Sequence, residues 1–316
     1  MRKVLFIESV HPKLDEMLTA QGYVCEHHHA WTRETLLERL NEYFGVVLRS
    51  RLRMDDAVFA AAPSLQFVAR SGSGLENIDL ESAQRHHVAI FNSPEGNADA
   101  VGEHALAMLL AVLNRIPSAD QEVRKGLWLR EENRGIELSE LTVGIIGYGV
   151  MGKSFARKLQ GFDVRVLAYD KYIHGYSEGH VEEVTLDQLF EEADVVSLHL
   201  PLTEETRYYA NSAFFASFRK PIHFVNTARG KHLDTAALVA AMKEERVLTA
   251  CLDVLEYEKA SLEGLEFAIL PEPLQYLMSS NRVIFSPHVA GWTHASYRKL
   301  SSVLGEKIIA TFGAAQ

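Results

Sequence analysis

Short runs of apolar residues alternate along this chain with longer stretches in which apolar residues recur at helical spacing. Such short runs are typical of buried strands, whereas the longer stretches indicate helices with one buried face. We predict strands at residues 4–7, 23–26, 45–49, 65–69, 88–91, 141–146, 164–169, 195–200, 223–226, 249–254 and 283–285. We predict helices at residues 11–21, 32–42, 54–62, 97–114, 186–191, 213–218, 235–245 and 295–312. The alternation predicts an α/β fold with parallel sheets covered on both faces.

Residues 141–170 contain the most informative pattern. A predicted strand leads into the motif GYGVMG at 147–152, a helix extends to residue 159, and a second strand ends on Asp170. Gly147 allows a tight turn, Gly149 lets the backbone approach a pyrophosphate, and Gly152 lets the helix pack on the strand. Asp170 lies where an acidic residue reaches the ribose hydroxyls, and its charge would repel the extra phosphate of NADP. The pattern therefore predicts an NAD site.

Length and composition narrow the class of protein. At 316 residues, with 47% hydrophobic and 23% charged residues, the chain predicts two globular domains with a sizeable core. The net charge of −10 argues against general binding to nucleic acid or to an anionic membrane. The chain shows no apolar run as long as a membrane span, and we expect no signal peptide and no disulfide framework from Cys25 and Cys251. We expect a cytoplasmic protein.

Titratable side chains follow three of the predicted strands, at Arg229, Glu258 and His288. Because ligands of open parallel sheets bind beyond the carboxyl ends of the strands, these side chains can converge on one crevice. Arg229 could hold a carboxylate through two parallel hydrogen bonds, and His288 could transfer a proton near neutral pH. Glu258 could orient that imidazole and fix its tautomer. Taken singly, the arginine could also be a surface residue, and the histidine could cap a turn.

Two further stretches contain residue types that occur in binding sites. The loop SGSG at 71–74 exposes N–H and hydroxyl groups that would suit a carboxylate, although a simple turn is the alternative. The three histidines at 27–29 do not predict a metal site, because neighbouring residues on a strand point to opposite faces. We expect no metal.

The motifs together resemble those of the D-isomer-specific 2-hydroxyacid dehydrogenase family. The resemblance extends from about Arg49 to the C-terminus. It rests on the order of SGSGLENID (71–79), GNADAVGEHALAMLL (96–110), GYGVMG (147–152), HLPLTEET (199–206), NTARG (226–230), LDV with a later glutamate (252–258) and SPHVAG (286–291).

The resemblance implies an oxidoreductase that transfers hydride between NAD(H) and a D-2-hydroxy acid or its 2-keto acid. It implies that the catalytic residues are Arg229, Glu258 and His288. The implied cofactor-binding residues are Gly147, Gly149, Val150, Met151, Gly152, Asp170, Leu200, Pro201, Thr206, Thr227, Ala228, Arg229, Asp253, His288 and Gly291. The implied substrate-binding residues are Arg49, Ser50, Ser73, Gly74, Arg130 and Arg229.

The family fold implies two Rossmann-like, doubly wound parallel-sheet domains. A flavodoxin-like substrate domain would comprise residues 1–98 plus 288–316, and an NAD-binding domain at 99–287 would be inserted into it. Members of the family commonly form dimers through the inserted domain, so we expect a homodimer in which the helix beginning near residue 97 takes part. We expect no regulatory C-terminal domain of the kind that some phosphoglycerate dehydrogenases carry.

Within the family, two details favour phosphoglycerate dehydrogenase. Arg49 ends a predicted strand, and the segment WLR at 128–130 resembles one whose arginine approaches the substrate phosphate in that enzyme. Arg49, Arg130 and Arg229 together would suit a substrate with two anionic ends, although the first two could instead be surface salt-bridge partners. Lys259 stands where the family usually has proline, and the segment 259–281 is longer than usual. A glyoxylate or hydroxypyruvate reductase therefore remains an alternative.

A function of another class also remains open. Relatives of this family act as transcriptional corepressors that bind NADH and control their association with partners. The complete set of Arg229, Glu258 and His288 favours an enzyme, although corepressors can also keep that set.

Overall fold

The computed structural model describes residues 1–258 and 270–315, and the chain separates into two compact units. The split unit, as we call it, combines Met1–Ala98 with Trp292–Gln316, and the inserted unit is Asp99–Gly291. The later boundary follows Gly291 rather than residue 287, because the backbone of residues 288–290 is hydrogen-bonded to Asp253 of the inserted unit.

Strands and helices alternate in both units. The strands are β1 (Lys3–Phe6), β2 (Val24–His27), β3 (Gly45–Leu48), β4 (Phe67–Arg70), β5 (Ala89–Asn92), β6 (Thr142–Ile146), β7 (Arg165–Tyr169), β8 (Val181–Glu183), β9 (Val195–Leu198), β10 (Ile222–Asn226), β11 (Val247–Leu252) and β12 (Val283–Phe285). The helices are α1 (Lys13–Ala20), α2 (Arg33–Arg39), α3 (Asp56–Ala61), α4 (Leu80–Arg85), α5 (Pro94–Leu113), α6 (Ile116–Arg124), α7 (Val150–Leu159), α8 (Leu186–Glu192), α9 (Ser212–Ser217), α10 (Thr235–Lys243), α11 (Glu272–Ser279) and α12 (His294–Phe312). Single turns of 3₁₀ helix lie at Leu40–Glu42, Leu138–Glu140, Gln160–Phe162 and Gly230–His232.

The strand orders confirm the predicted fold class. The sheet of the split unit has the order β2-β1-β3-β4-β5, and all its ladders are parallel. This is the flavodoxin-like order. The sheet of the inserted unit has the order β12-β11-β10-β9-β6-β7-β8, again with parallel ladders. It corresponds to the Rossmann order with an additional edge strand, and the strand order reverses between β6 and β9.

Each sheet is covered by apolar side chains on both faces. In the split unit, Val46 and Val47 of β3 enter two different core clusters, as expected for neighbouring residues of a strand. In the inserted unit, Phe224 and Val225 of β10 do the same. Burial on both faces explains why these strands are continuous apolar runs rather than alternating ones.

The long helix α5 is a core helix, as predicted, although it begins at Pro94 rather than at residue 97. Ala105, Met108 and Leu109 are buried in one of the core clusters of the inserted unit. Among the helices of the described residues, none combines the length and apolarity needed to span a membrane.

The sequence pattern failed to predict four elements: α4, α6, β8 and α11. Helix α4 has six residues and β8 has three, so both are too short to show a clear periodicity of apolar residues. Helix α6 buries none of its side chains, and its two large apolar residues, Ile116 and Val123, are too few to form a recognisable helical pattern. Helix α11 contains proline in its first turn, where proline needs no N–H partner and does not break the helix.

Candidate active site

The glycine motif lies between β6 and α7, at the carboxyl edge of the sheet in the inserted unit. Gly147 has a φ of 94°, and a Cβ there would lie 2.6 Å from the carbonyl oxygen of His199. A Cβ on Gly152 would lie 2.1 Å from the carbonyl oxygen of Gly147. At Gly149, by contrast, no atom of the described residues lies within 4 Å of the Cβ position, apart from the adjoining backbone and the two neighbouring residues. A side chain at Gly149 would fill space that a phosphate group could occupy.

Helix α7 presents its N-terminus to this space. Its N-cap is Gly149, which has no side chain to cap the helix, and the side chain of Val150 is half-exposed. The N–H groups of a first helical turn have no partner within the helix, and the helix dipole adds partial positive charge there. This geometry fits the predicted contacts of Val150 and Met151 with a pyrophosphate.

Asp170 follows β7, and its carboxylate is held by backbone N–H groups. Oδ2 accepts a hydrogen bond of 2.8 Å from Tyr148, within the glycine motif. Oδ1 accepts bonds of 2.9 and 3.0 Å from Tyr172 and Ile173. Because a carboxylate has about four lone-pair positions, acceptor capacity remains for ribose hydroxyls. The charge that would disfavour NADP is thus fixed beside the glycine motif.

The loop after β9 contains three predicted cofactor contacts. Leu200 lies beside the glycine motif, since its Cδ2 would be 3.1 Å from a Cβ on Gly147. The hydroxyl of Thr206 instead shapes its own loop: it donates to the carbonyl oxygen of Pro201 at 2.6 Å and accepts from the N–H of Thr203 at 2.8 Å. Thr206 thus holds the loop in shape, and its predicted contact with the cofactor stays a prediction.

The turn after β10 carries Arg229, and a buried side chain closes it. Asn226 accepts from the N–H of Ala228 at 3.1 Å and donates to the carbonyl oxygen of Arg229 at 3.0 Å. No role for Asn226 was predicted from the sequence. The hydroxyl of Thr227 is buried and has no hydrogen-bond partner among the described residues, which fits a ligand contact there. Arg229 itself is partly exposed, and Nη1 donates to the carbonyl oxygen of Ala228 at 2.7 Å.

The turn of Arg229 contacts the turn after β11. A Cβ on Gly230 would lie 1.9 Å from the carbonyl oxygen of Leu255, so this approach requires glycine. The N–H of Leu255 donates to Oε1 of Glu258, and the N–H of Glu258 donates to the carbonyl oxygen of Leu255 at 3.2 Å. The segment that positions Glu258 therefore rests on the turn that carries Arg229.

His288 and Glu258 form a direct pair. The imidazole Nδ1 lies 2.7 Å from Glu258 Oε2, and both side chains are partly buried, with 27% and 21% of their surfaces exposed. Because the carboxylate accepts, Nδ1 carries a proton, and Nε2 is left as the atom that can exchange one. The backbone of His288 is left-handed, with a φ of 56°, a conformation in which histidine is enriched. The pair gives the predicted acid–base group and the carboxylate that orients it.

Asp253 is buried, and its carboxylate is hydrogen-bonded to the segment around His288, while His104 Nε2 of helix α5 lies 3.6 Å from Oδ1. Oδ1 accepts from Ser286 Oγ at 2.5 Å and from the N–H of Val289 at 3.0 Å. Oδ2 accepts from the N–H of Ala290 at 2.9 Å. Asp253 thus holds this segment in place, and Ser286 is a functional residue that the sequence did not single out. The only feature of the sequence that could have indicated a role for Ser286 is its position directly after a strand and before the Pro-His pair.

Other histidines differ from His288 in their surroundings. Burial lowers the pKa of His199 to about 4 and that of His223 to about 4, so both are neutral at pH 7. His27 lies in the split unit and pairs with Asp15 at 2.6 Å.

In the described part of the chain, no group of three or more His, Cys, Asp or Glu side chains is arranged to hold a metal ion.

In the split unit, Arg49 and Ser50 follow β3. Their N–H groups donate to the carboxylate of Glu8 at 2.7 and 3.3 Å, so a carboxylate of the chain itself binds this backbone. The Arg49 guanidinium lies over the ring of Trp292, with 4.5 Å between its carbon and the ring centroid. Arg49 makes no ion pair with any residue in 1–258 or 270–315.

Ser73 and Gly74 also belong to the split unit, in the loop after β4. The hydroxyl of Ser73 donates to Asn97 Oδ1 at 2.7 Å, and its carbonyl oxygen accepts from Asn92 Nδ2 at 2.7 Å. Both residues are partly exposed. Two asparagine side chains therefore fix this loop, and its predicted carboxylate contact stays a prediction.

Arg130 is exposed in the inserted unit, and it too forms no ion pair within the described residues. Gly291, the last predicted cofactor contact, ends this unit and is partly exposed. Lys259 and residues 260–269 lie outside the described residues. The rest of the segment predicted to be unusually long, residues 270–281, includes helix α11.

Comparison with known proteins adds the following. The family model described as "D-isomer specific 2-hydroxyacid dehydrogenase, NAD binding domain" matches residues 106–290. A D-3-phosphoglycerate dehydrogenase of Archaeoglobus fulgidus is 32% identical over 309 residues, 97% of this chain and 56% of that protein. A hydroxypyruvate reductase of Thermotoga maritima is 32% identical over 281 residues, 89% of each chain. The chain thus spans about half the length of the archaeal relative and most of the bacterial one.

A solved structure supports the same relationship. A D-lactate dehydrogenase from Treponema pallidum superposes with a TM-score of 0.82 and is 25% identical. The superposition covers 100% of this chain and 98% of that one. The match extends over both units and includes the glycine motif and the turns of Arg229, Glu258 and His288.

Proposed function

The chain belongs to the D-isomer-specific 2-hydroxyacid dehydrogenase family, and we propose that it is an NAD-dependent oxidoreductase that interconverts a D-2-hydroxy acid and its 2-keto acid. The observation that carries this proposal is the 2.7 Å hydrogen bond between His288 Nδ1 and Glu258 Oε2. Through Leu255, the segment of Glu258 contacts the turn of Arg229. An acid–base group, its orienting carboxylate and a guanidinium therefore lie on adjoining turns at one sheet edge.

Each of these side chains has a distinct role in the proposed reaction. Arg229 binds the substrate carboxylate through two parallel hydrogen bonds and orients the neighbouring carbonyl. NAD, when bound, accepts the hydride from the hydroxyl-bearing carbon or, as NADH, returns it. His288 Nε2 removes the hydroxyl proton during oxidation and supplies it to the carbonyl oxygen during reduction. Glu258 keeps Nδ1 protonated, so that Nε2 remains the exchanging atom.

The second and third glycines of the motif, Gly149 and Gly152, allow a matched prediction. Replacing Gly149 with alanine is expected to weaken NADH binding by about tenfold or more, because the Cβ occupies the space left for a phosphate. Replacing Gly152 with alanine is expected to lower the free energy of unfolding by about 1–3 kcal/mol, because its Cβ collides with backbone. Fluorescence titration and denaturant unfolding measure the two effects. If Gly149→Ala binds NADH as tightly as the natural protein does, the phosphates do not occupy the space beside Gly149.

Within this activity, we propose 3-phosphoglycerate as the substrate. Arg49 and Arg130 support it, since neither guanidinium is neutralised by an ion pair among the described residues. A phosphate would give such an arginine a bidentate partner. The relative named hydroxypyruvate reductase supports the alternative, an unphosphorylated keto acid.

A substrate panel tests the proposal. NADH absorbance is followed with 3-phosphoglycerate and NAD, and with phosphohydroxypyruvate, hydroxypyruvate, glyoxylate and longer 2-keto acids and NADH. We expect turnover, with preference for the phosphorylated pair, and a loss confined to that pair in Arg49→Ala and Arg130→Ala. Preference for unphosphorylated acids would keep the mechanism and reject this substrate. NADH binding without turnover on any acid would favour the corepressor-like alternative.

We further propose that the protein is a homodimer joined through the inserted unit. Apolar side chains are concentrated on the surface of α6 and the segment after it, where Trp128 is 77% exposed. The exposed apolar residues of this surface are Ile116, Val123, Leu127, Trp128, Leu129 and Ile136. Exposed large apolar side chains that follow one another closely along the chain, as here, are found at association sites. The dimer and the cytoplasmic location stay predictions from the sequence.

The dimer proposal predicts a change of mass on substitution. We expect light scattering to give twice the mass of one chain for the natural protein and the mass of one chain for Trp128→Glu, because a buried unpaired charge is costly at an interface. Met278→Glu is the control, since Met278 is also an exposed apolar residue of the inserted unit but lies on α11. If Trp128→Glu is still a dimer, the interface does not include this surface and the proposal is wrong.

A further inference from the structure

A series of hydrogen bonds links helix α5 to the segment that carries His288. His104 Nε2 on α5 lies 2.8 Å from Ser286 Oγ, and Ser286 Oγ lies 2.5 Å from Asp253 Oδ1. Asp253 in turn accepts bonds of 3.0 and 2.9 Å from the two backbone N–H groups that follow His288. All of these residues belong to the inserted unit.

The direction of these hydrogen bonds follows from counting protons. The hydroxyl of Ser286 has one proton, and the Asp253 carboxylate is a far stronger acceptor than the sulfur of Met108, which lies 3.6 Å away. Ser286 therefore donates to Asp253 and must accept from His104. His104 thus has its proton on Nε2, and its donation strengthens the bond from Ser286 to the carboxylate.

The carboxylate of Asp253 determines where the imidazole of His288 points. The N–H of His288 donates to the carbonyl oxygen of Asp253 at 2.8 Å, and the next two N–H groups donate to its side chain. These bonds fix the left-handed backbone of His288, from which its ring reaches Glu258. A displacement of this ring by about 1 Å could cost about 10²-fold in rate.

We propose that His104 is a positioning residue for the reaction, acting through Ser286 and Asp253 to hold the His288 imidazole in line with its substrate. This inference rests on the proposed function and assigns roles to His104 and Ser286, for which the family resemblance implied none. This role depends on the proton that His104 Nε2 donates to Ser286 Oγ. An apolar side chain at the same position of α5 would fill the space equally well, but it could not donate this hydrogen bond.

Substitutions at His104 separate this role from simple packing. His104→Leu is expected to lower kcat about tenfold with little change in the KM for NADH, because the substitution disturbs only the orientation of the His288 imidazole. His104→Gln is expected to recover most of kcat, because its amide can still donate to Ser286 Oγ. His180→Leu is the control: His180 is a partly buried histidine of the same unit that bonds to the carbonyl oxygen of Ala156 at 2.7 Å. A kcat for His104→Leu within twofold of the natural protein would overturn the proposal.

A double-mutant cycle tests whether Ser286 is the link. Ser286→Ala is expected to lower kcat to a similar extent, and His104→Leu combined with Ser286→Ala should be no slower than Ser286→Ala alone. Full additivity of the two effects would show that His104 does not act through Ser286, and the proposal would fail.

A measurement without turnover distinguishes this inference from the proposed function. If the natural protein converts no acid of the panel, the proposed function fails, but NMR of the ring nitrogens still reports on His288. The His288 signal is identified among the 14 histidines by its loss in His288→Asn. A signal that shifts in His104→Leu and returns in His104→Gln would support the positioning role. A signal that stays unchanged in His104→Leu would overturn it.

Discussion

Replacing His288 with asparagine is expected to lower kcat by about three orders of magnitude, with the Kd for NADH within about threefold of its original value. The imidazole is the proposed proton donor and acceptor, and an amide cannot replace it in that role. Asparagine is chosen because it tolerates the left-handed conformation found at this position, where φ is 56°. Steady-state kinetics with the preferred acid and fluorescence titration with NADH measure the two quantities.

The comparison with His288→Ala separates chemistry from backbone strain. Alanine adds the cost of a left-handed backbone, so it is expected to lower stability more than asparagine does, with a similar loss of kcat. His180→Asn is the control, since it removes a partly buried imidazole that bonds to the carbonyl oxygen of Ala156 and not to Glu258 or Asp253. A kcat that stays within tenfold of the original in His288→Asn would contradict the assignment of His288 as the acid–base group.

The fold was largely predictable because burial leaves a strong signal in the sequence. Strands such as β3 and β10 are buried on both faces, and they appear as continuous apolar runs that no exposed segment would tolerate. Helix α6 was missed for the opposite reason. Its side chains are not buried, and although Ile116 and Val123 share one face, two apolar residues are too few to mark a helix.

The site was predictable as far as it depends on strand ends. Arg229, Glu258 and His288 each follow a strand of a parallel sheet, so their meeting at one edge follows from topology. Partners joined across long stretches of chain left no such signal. His104 and Ser286 are 182 residues apart, and the Glu8 carboxylate that binds the backbone after β3 is 41 residues from Arg49. Only the folded chain brings these groups within hydrogen-bond distance.

Replacing Arg229 with glutamine is expected to raise the KM for the keto acid about 100-fold and to lower kcat as well, at nearly unchanged NADH affinity. The guanidinium is the proposed bidentate partner of the substrate carboxylate, and hydrogen bonds between charged groups contribute about 1.5–3 kcal/mol each. The side chain is partly exposed at the end of a turn fixed by buried Asn226, so its loss should leave the fold intact. Unfolding curves verify that condition, and steady-state kinetics give KM and kcat.

Two matched variants decide whether geometry or charge is responsible. Arg229→Lys keeps the charge but cannot form the bidentate pair, so it is expected to recover less than about a tenth of the lost activity. Lys231→Gln removes an exposed cation two residues further along and should leave KM within about twofold of its original value, since an exposed charge is screened by solvent. Full recovery in Arg229→Lys would mean that charge alone suffices. An equal rise of KM in Lys231→Gln would mean that the general field of this edge, rather than Arg229, attracts the carboxylate.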